Sequence, residues 1–197
     1  MIKTLEDVER YSQEQARLSA EIADHIELRR PGLSEIEAAA LRRQLPGLPD
    51  DYLEIAQTWQ LDGISIGFFN LWPGRGAHSG LATKLIGANG MGNPGFDGLR
   101  HLQMLWVATF EGDPVCVGRK QAAKAGQVFW LPSHLASAQP RFLACNFGDL
   151  LKAATELHAF SLSGRGVDGV PALISAIGAY IPEFGHAEWR DLASMVV

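Results

Sequence analysis

Cysteine is scarce, and so is any arrangement that would make it a ligand. The chain holds only Cys116 and Cys145. No Cys-x-x-Cys pair and no Cys/His spacing of a zinc site occurs, so no structural metal is expected. Both cysteines lie in apolar, strand-like runs, PVCVG and RFLAC, and are expected to be buried thiols acting as small hydrophobes. A Cys–His dyad would need one of them exposed and activated. The six histidines (His25, His78, His101, His134, His158 and His186) never pair at His-x-His, His-x-x-x-His or His-Glu-x-x-His spacing. The Gly-Lys-Ser/Thr of a phosphate loop is missing.

Long apolar runs are missing too. No stretch approaches the roughly 18 residues needed to span a bilayer. The first residues, MIKTLEDVERYSQEQ, are charged and lack the apolar segment of a secretory signal, so a cytoplasmic protein is expected. Positive charge is in deficit, with 17 basic against 22 acidic residues and a net charge of -5. Nucleic acid is therefore a poor candidate partner, because phosphate binding needs clustered Lys and Arg. The 197 residues suffice for one domain with its own core and an added subdomain.

What is present begins with helix signals. Thr4 and Asp7 have capping-box spacing, followed by a polar helix expected to run to about Arg29, with Val8, Tyr11, Leu18, Ile22 and Ile26 on one stripe. Pro31-Gly32 breaks it. Ser34 and Glu37 form a second capping box, opening a helix through Ile36, Ala40, Leu41 and Leu45. In LPDDYLEIAQTW (48–59), Pro49 suits the first helical position. Asp50 and Asp51 then face the positive end of the helix dipole, worth about 0.3–1 kcal/mol each when exposed. Tyr52, Ile55, Ala56 and Trp59 recur at helical spacing as one buried face. The acids are thus expected to start a helix, and a catalytic pair would need a pocket that separates their pKa values.

From residue 63 the period changes to that of strands. ISIGFFNLW (64–72), LQMLWVATF (102–110), PVCVG (114–118) and QVFWL (127–131) are expected strands, and RFLAC leads into a helix. Glu111-Gly112-Asp113-Pro114 is a turn between two of them, and Arg119 to Gly126 is short enough for another hairpin. Asn146 is the expected cap of a helix whose apolar face is Phe147, Leu150, Leu151, Ala154 and Leu157. SLSGRGVDG (161–169) has the composition of a flexible joint. VPALISAIGAY and HAEWRDLASMVV follow as two short helices. Residues 87–98, GANGMGNPGFDG, are expected to be a loop without helix or strand, suited to contacting a partner.

The order of these features resembles the SUKH superfamily, bacterial proteins found mostly as immunity proteins against secreted toxins. Leu48, Pro49, Asp50, Tyr52 and Gly63 stand where that family has its leucine-proline-acid helix start, an aromatic and a terminating glycine. Phe147 and Leu151 fit its strand-to-helix phenylalanine, and EGDPVCVG and GQVFWLPSH resemble its acid-glycine turn and last apolar strand. The resemblance covers roughly residues 34 to 160. The N-terminal helix, the glycine-rich insertion and the segment beyond 160 stand outside it.

The resemblance implies an α+β fold, with one twisted antiparallel sheet flanked by helices and extra N- and C-terminal helices. Residues 1–160 would form the domain and 161–197 a helical appendage on or beside it. It implies a protein that binds and blocks a cognate toxin in the cytoplasm, with no catalytic residues, cofactor or metal. A non-catalytic regulatory or scaffold module is the alternative, and an enzyme ranks third. The expected partner-binding residues are Trp72, Phe96, Asp97, Glu111 and Asp113, drawn from the glycine-rich excursion and the 111–114 turn. Aromatic anchors dominate binding energy, and complementary charge speeds association.

Overall fold

The computed structural model describes residues 1–74, 80–93, 95–132 and 139–197, with Phe96 described in its backbone alone. The first helix, α1 (Leu5–Leu18), opens on the expected capping box: the Thr4 hydroxyl accepts from the Asp7 N–H at 3.2 Å, and the Asp7 carboxylate accepts from the Thr4 N–H at 3.0 Å. It does not continue to Arg29. It ends at Ser19, and a 3-10 turn (Ala20–Ile22) and a short α2 (Ala23–Ile26) carry the chain back along it. The reversal is fixed by Ser12, buried on α1, whose hydroxyl accepts from the Leu28 N–H at 3.1 Å. Folding back buries Val8 and Leu28 but leaves Leu18 79% and Ile22 49% exposed, so the expected apolar stripe is broken in two.

The second capping box, Ser34 with Glu37, opens α3 (Glu35–Gln44) as expected, although Ile36 points to solvent. In α4 (Asp50–Thr58), Pro49 stands at the N-cap, one residue earlier than expected, and both aspartates lie in the first turn. Tyr52, Ile55, Ala56 and Trp59 are all buried. The Asp51 carboxylate also accepts from the Phe147 N–H at 3.4 Å, at the start of another helix. Asp50 pairs with Lys120 at 2.6 Å. One acidic pair thus starts its own helix and ties it to two distant segments.

The sheet is single, antiparallel and open, with its six strands in sequence order among the described residues. The 64–72 run is not one strand. It is a tight hairpin of β1 (Ser65–Ile66) and β2 (Phe69–Asn70). Gly67 turns it at φ +57°, where an added Cβ would sit 2.9 Å from that of His158. Next come β3 (Met104–Phe110) and β4 (Asp113–Gly118), joined through Glu111 and Gly112 at φ +50° and +92°, the left-handed pair that suits the twist of a two-residue hairpin. Two further strands, β5 (Val128–Trp130) and β6 (Arg141–Ala144), complete the meander.

A bulge in β3 decides what each face carries. Trp106 pairs with Cys116, but the next partner of β4 is Ala108, so Val107 is an extra residue. Leu105, Val107, Ala108 and Phe110 consequently all face the main core, while Met104, Trp106 and Thr109 lie on the opposite face. On the core side the sheet packs against α4 and α7 (Phe147–Leu162), whose N-cap Asn146 accepts from the Asp149 N–H at 2.8 Å. Tyr52 and Phe147 meet edge to face at 4.8 Å and join the two helices.

The 161–169 stretch is a compact turn. It carries the end of α7 into a 3-10 segment (Gly166–Gly169), with Gly169 buried so close to Phe160 that a Cβ would lie 2.7 Å from the ring. From there α8 (Val170–Ile177) and α9 (His186–Met195) add Leu173, Ile177, Trp189 and Leu192 to the main core. Edge strand β6 is sheltered by α9, where the Trp189 indole donates to the Leu143 carbonyl at 2.8 Å.

Two further expectations fail here. Residues 87–98 are not a free loop: α5 (Leu81–Ala88) enters them and α6 (Phe96–His101) leaves them. Cys116 is buried, but Cys145 is exposed, because β6 ends at Ala144 and the chain turns there toward the Asn146 cap.

Candidate functional site

The second face of the sheet is covered at one end. Leu99 of α6 packs with Met104, Cys116 and Phe129, edged by Trp106, Leu131 and Phe142. Among the described residues, the cover stops beyond Trp106. A groove of about 620 Å³ opens there, lined by Gly67, Phe68, Asn70, Gly74, Trp106, Thr109, Glu111 and Gly112.

Its floor is a rigid polar ladder. The Ser65 hydroxyl donates to the Asn70 side-chain oxygen at 2.8 Å, and the Asn70 amide donates to the Thr109 hydroxyl at 3.0 Å across the β2–β3 pair. Thr109 is almost fully buried. The bulge is what puts it there, since uninterrupted alternation would send Thr109 into the core and Phe110 into the groove. Half-buried Phe68 and Trp106 are the apolar walls. The Trp106 indole donates to the Ala108 carbonyl at 2.7 Å, which fixes its ring. Glu111, exposed on the turn, stands at the rim.

Trp106 is held from behind by Asn89. The Asn89 side chain accepts from the Trp106 N–H at 2.8 Å and donates to the Trp106 carbonyl at 2.8 Å. Both Trp106 groups point away from β4, toward the side that two-residue β2 does not reach. One buried amide thus stands in for a missing strand.

The five residues singled out from the sequence are spread apart. Glu111 lines the groove and Asp113 follows it on the same turn, half-buried. Asp97 is exposed in the first turn of α6, which joins β3 at its Met104 end, whereas the turn acids sit at its Phe110 end. Seven residues of strand separate these ends by about 20 Å, so the three acids do not form one patch. Trp72 is not an exposed anchor: it is half-buried against the main core, with the Lys84 ammonium 5.3 Å from its ring centre. The Phe96 side chain lies outside the described residues.

Trp106, Phe68, Asn70 and Thr109 were not expected at a site. Their strands are legible in the sequence, but the bulge that turns Trp106 and Thr109 onto the open face carries no residue signature. Among the described residues, no three His, Cys, Asp or Glu side chains gather as a metal-binding group. No helix there is long and apolar enough to cross a membrane. Comparison with known protein families, with curated proteins and with solved structures finds no match to the chain.

Proposed function

We propose that this chain is an immunity protein of the SUKH type, which binds a cognate toxin and neutralises it by direct blockade without catalysing a reaction. The reading rests on the resemblance of LPDDYLEIAQTW and the Phe147 helix start to that family. It is supported by the single antiparallel sheet flanked by helices that the resemblance implies. The observation that carries it is the groove on the open face: two half-buried aromatics, a hydrogen-bonded floor and an acid at the rim. That combination suits a protein partner. Aromatics in a partly desolvated hollow supply affinity, and a rim carboxylate favours a basic approach surface. The floor is braced by strand pairing, so little conformational freedom remains to be lost on binding.

The test is co-expression with the product of the adjacent reading frame, scored by growth rescue and co-purification. Glu111→Lys and Trp106→Ala, each checked for native circular dichroism, are expected to abolish rescue and to weaken the complex at least about tenfold. Folded variants that still bind within about threefold of the parent would place the interface elsewhere. Co-purification without rescue would identify a scaffold module instead.

A further inference from the structure

At the opposite end of the β3–β4 hairpin from the groove, a second cavity of about 520 Å³ is lined by Gln44, Leu45, Met91, Arg100, Gln103 and Arg119, among others. Its two arginines come from separate elements, Arg100 from the last turn of α6 and Arg119 from the residue after β4. Among the described residues, no carboxylate lies within ion-pair distance of either.

Arg119 is held in place. Its guanidinium donates through Nη1 to the Pro46 carbonyl at 2.9 Å, and its backbone N–H donates to the Gln103 carbonyl at 2.9 Å. Gln103 sits at φ +58°, a left-handed conformation that a non-glycine residue adopts only at a cost. Gly47, at φ +95°, leaves room for the arginine stem, since a Cβ there would lie 3.2 Å from Arg119 Cβ. Gln103 ends α6 in the left-handed conformation common just past a helix C-cap, and the Arg119 guanidinium keeps further N–H groups with donor capacity. Burial pushes the pKa of Arg119 down, and the positive charge of Arg100 pushes it further the same way. Two cations facing one hollow repel each other, and a bound anion reverses that cost.

We propose that this cavity binds the phosphate group of a small organic phosphate, clamped between Arg100 and Arg119. A phosphate dianion balances both charges where a single carboxylate balances one, and its oxygens accept from planar guanidiniums in pairs. The volume lies within the range of small-molecule pockets and leaves room for an organic body against Leu45 and Met91. Gln44 and Gln103 bring amide groups for that body to meet. Asn89, which braces Trp106 behind the groove, also lines this cavity, but the proposal does not rest on the function proposed for the groove.

The experiment is isothermal titration of the full chain in low-chloride buffer at about pH 7.5, where a phosphate monoester, with its second pKa near 6, is a dianion. The probes are inorganic phosphate and adenosine 5′-monophosphate, with adenosine and acetate as controls. Saturable binding of both phosphates is expected, tighter for the monophosphate. Arg100→Gln and Arg119→Gln are each expected to weaken it about tenfold, the scale of one lost charge-assisted contact. If Arg119→Gln does not fold, exposed Arg100 still carries the test. No saturation by about 10 mM of either phosphate, or binding indifferent to Arg100→Gln, overturns the proposal. Acetate binding as well as phosphate does so too, by making this a carboxylate site.

Discussion

Replacing Asn89 with alanine tests whether the glycine-rich segment braces the sheet. Asn89 is only 5% exposed, and its side chain makes three hydrogen bonds: one from the Trp106 N–H at 2.8 Å, one to the Trp106 carbonyl at 2.8 Å, and one to the Leu85 carbonyl at 2.9 Å. Leu85 also accepts the Asn89 backbone N–H, so its carbonyl stays paired after truncation. The Trp106 N–H and carbonyl do not, because β2 ends short of them. An unpaired buried polar group costs about 1–3 kcal/mol, and half-buried Trp106 falls toward the lower end, so Asn89→Ala should cost roughly 2–4 kcal/mol. Urea unfolding should show an earlier midpoint at unchanged slope, and the Trp106 amide should lose hydrogen-exchange protection. Asn89→Asp sharpens the test. Its carboxylate still accepts from the Trp106 N–H but faces the Trp106 and Leu85 carbonyls as an anion. That raises its folded-state pKa, so the variant should be most stable in acid and lose stability as pH rises through that value. An Asn89→Ala protein within about 0.5 kcal/mol of the parent, with the Trp106 amide still protected, would refute the bracing role.

Three further outcomes are expected. Tyr52 is fully buried and its hydroxyl has no hydrogen-bond partner among the described residues, so Tyr52→Phe should cost less than about 0.5 kcal/mol or stabilise the fold; a loss above about 2 kcal/mol would show that the hydroxyl is satisfied. Half-buried His158 bonds the Tyr11 hydroxyl at 3.1 Å, and burial lowers its pKa. The unfolded chain therefore takes up its proton first, so this contribution is complete above about pH 6.5 and is lost as pH falls toward the folded value. His158→Gln should flatten the stability profile below about pH 6.5, and an unchanged slope would dismiss the effect. Finally, a thiol reagent should label Cys145 in the native protein and Cys116 only after unfolding, since the first is exposed and the second buried; equal labelling rates would contradict the placement of β6.

Deleting residues 89–95 would be a poor probe of partner binding, because it removes the Asn89 brace with the glycines. That illustrates where local reading stops. GANGMGNPGFDG has the composition of a free loop, yet a single asparagine within it completes the hydrogen bonding of a strand that lies 17 positions away. Composition reports the backbone freedom of a segment and says nothing about which distant groups it will satisfy.

The sequence by itself determined the elements whose causes are local. Both N-terminal capping boxes, the buried face of LPDDYLEIAQTW, the 111–114 turn and the Asn146-capped helix follow from residues close together in the chain. The change of hydrophobic period at residue 63 marks where helices give way to strands, and the α+β class was what the family resemblance implied. Tertiary structure decided the rest. The Ser12–Leu28 bond folds the first helix back long before Arg29, and the bulge at Val107 exchanges Thr109 and Phe110 between the two faces of the sheet. Arg100 and Arg119 meet only because α6 and the end of β4 converge on one cavity. Each of these depends on which strand or helix arrives next to which. Period and propensity carry no record of that, because long-range pairings are chosen by the packing of the whole chain.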